Sequence, residues 1–436
     1  MNTHSIFAPA PPAALAELAA LQEPLRQALP MRASHFKDLP FAIAELSEIL
    51  TSERGELSRP YWSQPRYTAA YFWYFLPWNL LRLGCLLPSL PLSAKLLPPG
   101  STILDLGSGP LTLPLAMWLA RPDLRSTPLH FICSDVQNKP LDLGRKMLAE
   151  VMGQGSPWQI TLFKGDALKT LRAFRKTQPQ LIAALNICNE LVQVRNLNFN
   201  SALNSFLREC RASLAPDGNL LFVEPGNRLG GKIIAALRES ALGNVDNRQD
   251  PEESAQGRPQ PQPQKPMAVL SPCTHEAPCP LLNTQQAWCH FQQSAAEAPQ
   301  WLQKLSQAAR LQKQHISLSF ILLSANNEYR LTGMQPLAPH TQGQAQTKAQ
   351  QKPASNDRTK PAHLAEAQAP LLSGRVVSGL FKVPELHHAC CYACTAAGLA
   401  LVPKAASLSC GDTVKLQKSD KRKVDPKSGA VILYPL

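Results

Sequence analysis

Residues 103–114 read Ile-Leu-Asp-Leu-Gly-Ser-Gly-Pro-Leu-Thr-Leu-Pro, and this stretch decides the fold. A short apolar run ends at Asp105, Gly107 and Gly109 follow, and an apolar segment of helical length begins after them. The order predicts a strand, a tight turn and a helix N-terminus, because glycine lets the backbone turn sharply and approach a ligand closely. Pro110 suits the first helical position, where its missing N–H costs nothing. A merely structural turn is the alternative interpretation.

The composition bounds the class of protein. The chain has 436 residues, 44% of them hydrophobic, which supports two to three domains with real cores. A net charge of +13 favours a polyanionic partner such as RNA, DNA or an anionic membrane, although a basic protein without one is the alternative. The sequence predicts no membrane span, signal peptide or transit peptide. We therefore expect a cytoplasmic protein whose eleven cysteines bind metal or lie buried instead of forming disulfides.

Composition and periodicity divide the chain into six regions. Helical spacing of apolar residues marks the first region, and five predicted strands alternating with helices mark the second, which is typical of a doubly wound, mostly parallel sheet. The six regions are a helical N-terminal region (1–98), a Rossmann-like cofactor-binding core (99–245), a disordered linker (246–267), a cysteine segment with a return strand (268–334), a low-complexity linker (335–371) and a basic β-rich C-terminal module (372–436).

Acidic residues follow three successive predicted strands, where open parallel sheets bind their ligands. Asp135 is placed to accept hydrogen bonds from ribose hydroxyls, Asp166 to meet an adenine amino group, and Asp105 to orient the glycine loop or meet an ammonium group. Together with Gly107 and Gly109, these residues form the predicted cofactor site. The pattern fits S-adenosylmethionine better than NAD, because no third glycine stands at the pyrophosphate position. Helix capping is the alternative role for Asp135 and Asp166.

One residue departs from the usual pattern. Class I methyltransferases commonly carry a third glycine where this chain has Leu111, and we expect the leucine side chain to crowd the methionine arm of the cofactor. No general base stands out, so the sequence predicts no catalytic residue.

A second constellation consists of cysteines. Cys273, Cys279 and Cys289 lie close together in sequence, and thiolates suit Zn²⁺ or an iron–sulfur cluster. A set of buried free thiols is the alternative. The candidates for a fourth ligand are Cys390, Cys391, Cys394, His275 and His290. The sequence places the following cysteines in the core: Cys85, Cys133, Cys188 and Cys210.

These cysteine motifs resemble the small-ribosomal-subunit methyltransferase-like family, which has bacterial, yeast mitochondrial and mammalian mitochondrial members. The matching motifs are Pro272-Cys273-x5-Cys279-Pro280-Leu281, Trp288-Cys289-His290-Phe291, Cys394-x3-Gly398 and Val223-Glu224-Pro225-Gly226. The resemblance extends from about Tyr67 onward, outside the two low-complexity stretches. It implies a Rossmann-like class I methyltransferase fold that works on the small ribosomal subunit, near its rRNA, during assembly.

The resemblance also implies a metal centre. Carried over from the family, the ligands are Cys273, Cys279, Cys289 and Cys394, and the group is a [4Fe–4S] cluster, with zinc as the alternative. Two functions follow: an S-adenosylmethionine-dependent methyltransferase acting on the small subunit or its rRNA, or a non-catalytic assembly factor that binds rRNA through a metal-stabilised surface.

Overall fold

The computed structural model describes residues 5–51, 61–93, 95–193, 199–244, 265–282, 284, 287–330, 371–417 and 423–436. Most of both predicted linkers lies outside these residues, as do Lys418, Lys421 and Arg422 of the basic C-terminal module. The described helices are α1 (Pro12–Ala20), α2 (Gln22–Ala28), α3 (Ala33–Thr51), α4 (Pro65–Ala70), α5 (Leu76–Leu86), α6 (Thr112–Ala120), α7 (Asn138–Met152), α8 (Ala167–Ala173), α9 (Cys188–Gln193), α10 (Phe199–Ser213), α11 (Arg228–Leu242) and α12 (Gln300–Ala308).

The described strands form two sheets. They are β1 (Ser101–Leu106), β2 (Leu129–Asp135), β3 (Gln159–Lys164), β4 (Leu181–Leu185), β5 (Asn219–Pro225), β6 (Ala268–Ser271), β7 (Phe291–Ser294), β8 (His315–Ser324), β9 (Leu371–Val376), β10 (Phe381–Lys382), β11 (Ala389–Thr395), β12 (Gly398–Pro403), β13 (Thr413–Gln417), β14 (Val431–Ile432) and β15 (Tyr434–Pro435).

The first sheet carries the fold. Its strand order is β3-β2-β1-β4-β5-β8-β6, with β7 also paired to β8. Strands β1 to β5 are parallel, and β8 returns antiparallel to β5. Helices cover both faces, so the buried strands are apolar on both sides. The predicted Rossmann-like α/β fold, with its return strand, is confirmed.

Two apolar layers flank this sheet. Ile103 of β1 packs into a core shared with the N-terminal helices, α6 and α7, whereas Leu104 and Leu106 pack with α10 and α11. Because side chains alternate along a strand, Asp105 shares the face of Ile103. Asp105 therefore lies on the sheet face that the helical N-terminal region covers.

A five-residue π-helical segment, Tyr71–Phe75, joins α4 to α5. Such bulges rotate the side chains that follow them and are frequent at functional sites. Most of its aromatic residues are buried, as expected of a core stripe, but Tyr71 is only partly buried. Among the described residues, no helix has the length and apolar character needed to cross a bilayer.

The second sheet forms the C-terminal β-module, residues 371–417 and 423–436. Its strand order is β14-β12-β11-β9-β13-β15, and β10 pairs with β11. Val376, Cys391, Val402 and Leu416 lie in its own small apolar core. The module is therefore a separate β layer, as the sequence predicted.

Several details differ from the sequence-based expectation. Pro110 lies in the turn, and α6 begins only at Thr112 after Leu111 as N-cap. The Ile6 N–H donates to the Gly411 carbonyl at 3.0 Å, and Ile6 is buried against the C-terminal β-module. Periodicity also missed α11, β6, β7, β10, β11 and β13.

Candidate cofactor pocket and cysteine cavity

The glycine loop between β1 and α6 adopts a left-handed backbone. Gly107 and Gly109 have φ of 64° and 54°, values that residues with a Cβ rarely adopt. A Cβ on Gly107 would lie 2.3 Å from Ile187 Cγ2, whereas one on Gly109 would meet nothing within 4 Å. The loop thus needs glycine at 107 for packing and leaves open space beside 109.

Two carboxylates meet this loop from β1 and β2. The Ser108 hydroxyl donates to Asp105 at 2.5 Å, and the N–H groups of Gly109 and Gln137 each donate to Asp135 at 3.0 Å. Burial raises the pKa of Asp105 to about 7, opposed by the Ser108 hydrogen bond and reinforced by the charge of Asp135. Burial also raises the pKa of Asp135, against its backbone hydrogen bonds. The structure therefore brings Asp105, Asp135 and both glycines together.

A small cavity of about 20 Å³ opens beside the loop. Its lining residues are Tyr71, Asp105, Gly107, Ser108, Gly109, Thr112, Leu113, Leu185 and Asn186. Asn186 has a φ of 59°, and its buried side-chain oxygen has no hydrogen-bond partner among the described residues. The aromatic stretch before β1 has the sequence character of a core stripe or of a cover for a cofactor pocket, and its Tyr71 lines this cavity. Asn186 has a polar side chain at the end of a predicted strand, and the sequence assigned it no specific role.

Two other predicted residues lie elsewhere. The Asp166 carboxylate accepts the Lys169 N–H at 2.9 Å and caps α8, and Asp166 does not line the cavity. Leu111 has a φ of 56°, and its fully buried side chain packs in the apolar core, not in the cavity. The expected crowding by Leu111 is therefore absent from this arrangement, because the left-handed backbone turns the side chain inward.

The four family-matched cysteines line one further cavity, also about 20 Å³ in volume. Cys273 and Cys279 follow β6, Cys289 precedes β7, and Cys394 lies on β11 of the C-terminal β-module. The Nε2 atom of His275 lies 3.3 Å from Cys394 Sγ. Two distant parts of the chain thus converge on this cavity.

The other cysteines lie apart from that cavity. Cys390 is buried beside Leu401, and Cys391 lies in the core of the C-terminal β-module. All eleven cysteines are free. The predicted core cysteines are buried as expected: Cys85, Cys133, Cys188 and Cys210.

Burial dominates the chemistry of the cysteine cavity. It raises the pKa of Cys279 to about 11, with the neighbouring Cys273 adding to the rise, and it lifts the pKa of Cys289 and Cys394 well above the usual range. Thiols in such surroundings stay protonated until a metal or a cation displaces the proton. Within the described part of the chain, no three His, Cys, Asp or Glu side chains are arranged to hold a metal ion. The volume admits about one water, so a larger group needs these loops to move apart.

A family profile described as mitochondrial small ribosomal subunit Rsm22 matches residues 70–321. No curated protein matches the chain. The matched residues contain the glycine loop, the whole parallel sheet and three of the four cavity cysteines.

Solved structures that resemble the chain include several methyltransferases. A SAM-dependent methyltransferase from Agrobacterium tumefaciens is 14% identical, with 38% of this chain and 50% of that chain covered and a TM-score of 0.27. A putative one from Streptococcus mutans is 8% identical, with 52% and 45% covered and a TM-score of 0.30. SMU.776, a putative methyltransferase complexed with SAH, is 9% identical, with 57% and 48% covered and a TM-score of 0.32. The chain spans about half the length of these structures, and likenesses this weak bear on neither substrate nor cofactor.

The profile match therefore carries the assignment. It covers more than half of the 436 residues and includes every residue that lines the cofactor cavity. The chain belongs to the mitochondrial small ribosomal subunit Rsm22 family.

Proposed function

We propose that this chain is an S-adenosylmethionine-dependent methyltransferase-like protein that acts on the small ribosomal subunit or its rRNA during assembly. The cofactor part rests on one observation: Asp105, Asp135 and the glycine loop meet at the carboxyl ends of β1 and β2. A ligand of nucleoside size would extend from the small cavity towards Asp135, whose carboxylate suits ribose hydroxyls. Asn186 lines the same cavity, and its side-chain oxygen is an acceptor without a partner among the described residues.

Titration calorimetry with S-adenosylmethionine and S-adenosylhomocysteine tests the cofactor proposal. We expect saturable binding by the full chain and at least tenfold weaker binding by Asp135→Ala, because a charged hydrogen bond contributes about 1.5–3 kcal/mol. Heat from both ligands that survives Asp135→Ala would contradict the proposed ribose contact. No heat at millimolar cofactor would contradict the enzyme and favour the non-catalytic assembly factor.

Asp166 needs a separate test, because its carboxylate is engaged in capping α8. We propose that it reaches an adenine amino group only by giving up that cap. Asp166→Ser keeps a capping oxygen and Asp166→Ala does not. Equal cofactor affinity in wild type and Asp166→Ser would leave Asp166 a capping residue only, whereas a loss in both variants would assign it to the cofactor.

We propose that the polyanion bound by this basic chain is rRNA. One proposed contact is a cation–aromatic stack formed by Arg228, Trp288 and His290. The exposed Arg228 guanidinium lies 5.5 Å from the centroid of the Trp288 ring, and the His290 ring stacks on Trp288 at 4.8 Å. Cations and stacked rings of this kind bind phosphates and unpaired bases. Filter binding of small-subunit rRNA at several salt concentrations tests it.

Arg228→Ala should weaken binding several-fold and flatten the salt dependence, since each neutralised phosphate releases a counterion. Arg26→Ala is the control, because Arg26 is paired with Glu23 on α2. An equal effect of both substitutions would contradict a contact at Arg228.

We further propose that Cys273, Cys279, Cys289 and Cys394 hold a [4Fe–4S] cluster, with zinc as the alternative. The cavity lining supports this proposal, because it contains four cysteines and no carboxylate. Four cysteine thiolates are the usual protein ligands of such clusters. A cluster there would cross-link the α/β sheet to the C-terminal β-module. A cytoplasmic location belongs to the same proposal, because a reducing compartment keeps the cysteines free.

A further inference from the structure

Two arginines are buried beside the four-cysteine cavity. Arg238 of α11 is 2% exposed and Arg375 of β9 is 8% exposed, and both line the cavity. Burying a guanidinium is costly unless nearby groups offset its charge. A carboxylate offsets part of this charge at each arginine, Glu239 at Arg238 and Asp412 at Arg375, and both side chains are held at the cavity wall.

Arg238 holds the loop that carries two of the cysteines. Its Nε–H points to Cys273 Sγ at 3.3 Å, and its Nη2 donates to the carbonyls of His275 and Ala277 at 2.7 and 2.9 Å. The adjacent Glu239 pairs with it and also accepts the Cys279 N–H at 3.0 Å. Arg238 thus fixes one thiol directly and the loop between the two thiols through its backbone.

Arg375 reaches the same loop from the C-terminal β-module. It stands opposite Cys394 in the pairing of β9 with β11. Its Nε–H donates to the Pro272 carbonyl at 2.8 Å and its Nη1 to the Gly411 carbonyl at 2.8 Å. The side chain therefore joins the segment that precedes Cys273 to the module that carries Cys394.

We propose that Arg238 and Arg375 are positioning residues for an anionic thiolate–metal centre in this cavity, a proposal that rests on the four-cysteine site above. Four thiolates around a [4Fe–4S]²⁺ core leave about two net negative charges, and buried cations beside them favour that anion over the empty site. The Arg238 hydrogen bond to a ligand sulfur also favours the more reduced cluster, because it draws charge from the metal.

Anaerobic reconstitution of the full chain with iron and sulfide tests the proposal in Arg238→Met, Arg238→Lys and Arg375→Met. We expect the two methionine variants to release iron to a chelator about tenfold faster, the loss expected for one charged hydrogen bond. We expect Arg238→Met to have a more negative reduction potential, and Arg238→Lys to recover part of both properties. Arg121→Met is the control, since Arg121 is 7% exposed and also bonds a buried carbonyl, yet does not line the cavity.

The outcomes separate this inference from the metal site itself. If every variant binds iron, and its iron release and reduction potential match those of wild type, the arginines have no positioning role. The cysteine site itself would not be contradicted by that result. A wild-type chain that takes up no metal would overturn the cysteine site. If Arg238→Met does not fold, Arg238→Lys and Arg375→Met decide the question, because a wild-type potential and iron lifetime in both would contradict the proposal.

Discussion

At the scale of single residues, the buried Asp105 carboxyl makes stability depend on pH. Its folded pKa of about 7 exceeds the unfolded value of about 3.9, so the folded chain keeps a proton that the unfolded chain releases between these values. Stability should therefore fall by up to about 4 kcal/mol as pH rises from about 4 to 7. Asp105→Asn should reduce that slope in urea unfolding followed across this range, leaving the part that the raised pKa of Asp135 contributes.

Asp123→Asn is the matched control for this experiment. The hydrogen bond from Arg121 holds the pKa of Asp123 below its usual value. The stability that ionised Asp123 contributes is therefore fully present above the usual pKa and is lost only as pH falls towards the lowered one. The slope between pH 4 and 7 should survive this change. A wild-type slope that also survives Asp105→Asn would contradict a proton on Asp105.

Leu111 is a position where residue type alone gives the wrong expectation. A leucine in place of the usual third glycine predicts crowding of a ligand, but the backbone at Leu111 is left-handed and its side chain lies in the core. Leu111→Gly should lower the free energy of unfolding by about 2–4 kcal/mol, because the lost burial outweighs relief of the strained φ. Cofactor affinity, measured by calorimetry on the folded variant, should not change. A tenfold gain in cofactor affinity would instead indicate that the Leu111 side chain crowds the cofactor.

At the scale of elements, α11 packs against the cysteine loop through a glycine. A Cβ on Gly231 would lie 2.7 Å from the Cys289 carbonyl oxygen and from Trp288 Cδ1. Gly231→Ala should therefore cost about 1–3 kcal/mol in urea unfolding and shift the Trp288 fluorescence. Gly84→Ala in α5 is the control, since a Cβ there meets nothing within 4 Å, and a better helix former should stabilise by up to about 1 kcal/mol. Equal changes in the free energy of unfolding for Gly231→Ala and Gly84→Ala would contradict the close packing of α11 against the cysteine loop.

The same scale shows what periodicity predicts and what it misses. Strands β1 to β5 and the return strand β8 follow from apolar runs between turns and helices, and they are where the sequence placed them. Strand β11 reads Ala-Cys-Cys-Tyr-Ala-Cys-Thr, and β7 has only four residues, so neither carries an alternation strong enough to stand out. Their places are set by pairing with β12 and β8, which are tertiary contacts.

At the scale of the whole molecule, the start of the chain joins the C-terminal β-module to the α/β sheet. Phe7 packs against Gly411 and lies 6.2 Å from the Phe291 ring of β7. Phe7→Ala should cost about 1–3 kcal/mol and speed hydrogen exchange in β13. Phe41→Ala, on a side chain 74% exposed, should change stability by no more than about 0.5 kcal/mol. Unchanged exchange in β13 with Phe7→Ala would contradict this contact.

The cofactor site and the cysteine site differ in how far the sequence reveals them. The glycine loop and its two acids are neighbours through one strand–turn–helix unit and one adjacent strand, which local patterns predict. Cys394 meets Cys273, Cys279 and Cys289 across separate sheets. The cysteine pattern left it one of five candidates for the fourth ligand, and only the resemblance singled it out. Arg238 and Arg375 gave no local signal, because the groups through which they hold the cysteine loop, backbone carbonyls and the Cys273 sulfur, are far away in sequence.

The convergence of those thiols on one centre is the central claim, and metal analysis tests it most directly. Iron and acid-labile sulfide should be measured per chain in anaerobically purified wild type and in Cys394→Ser. We predict about four of each in wild type and a large loss of both in Cys394→Ser, because the fourth ligand comes from the C-terminal β-module. A wild-type chain with neither iron nor zinc, or a full complement of metal retained by Cys394→Ser, would contradict the account.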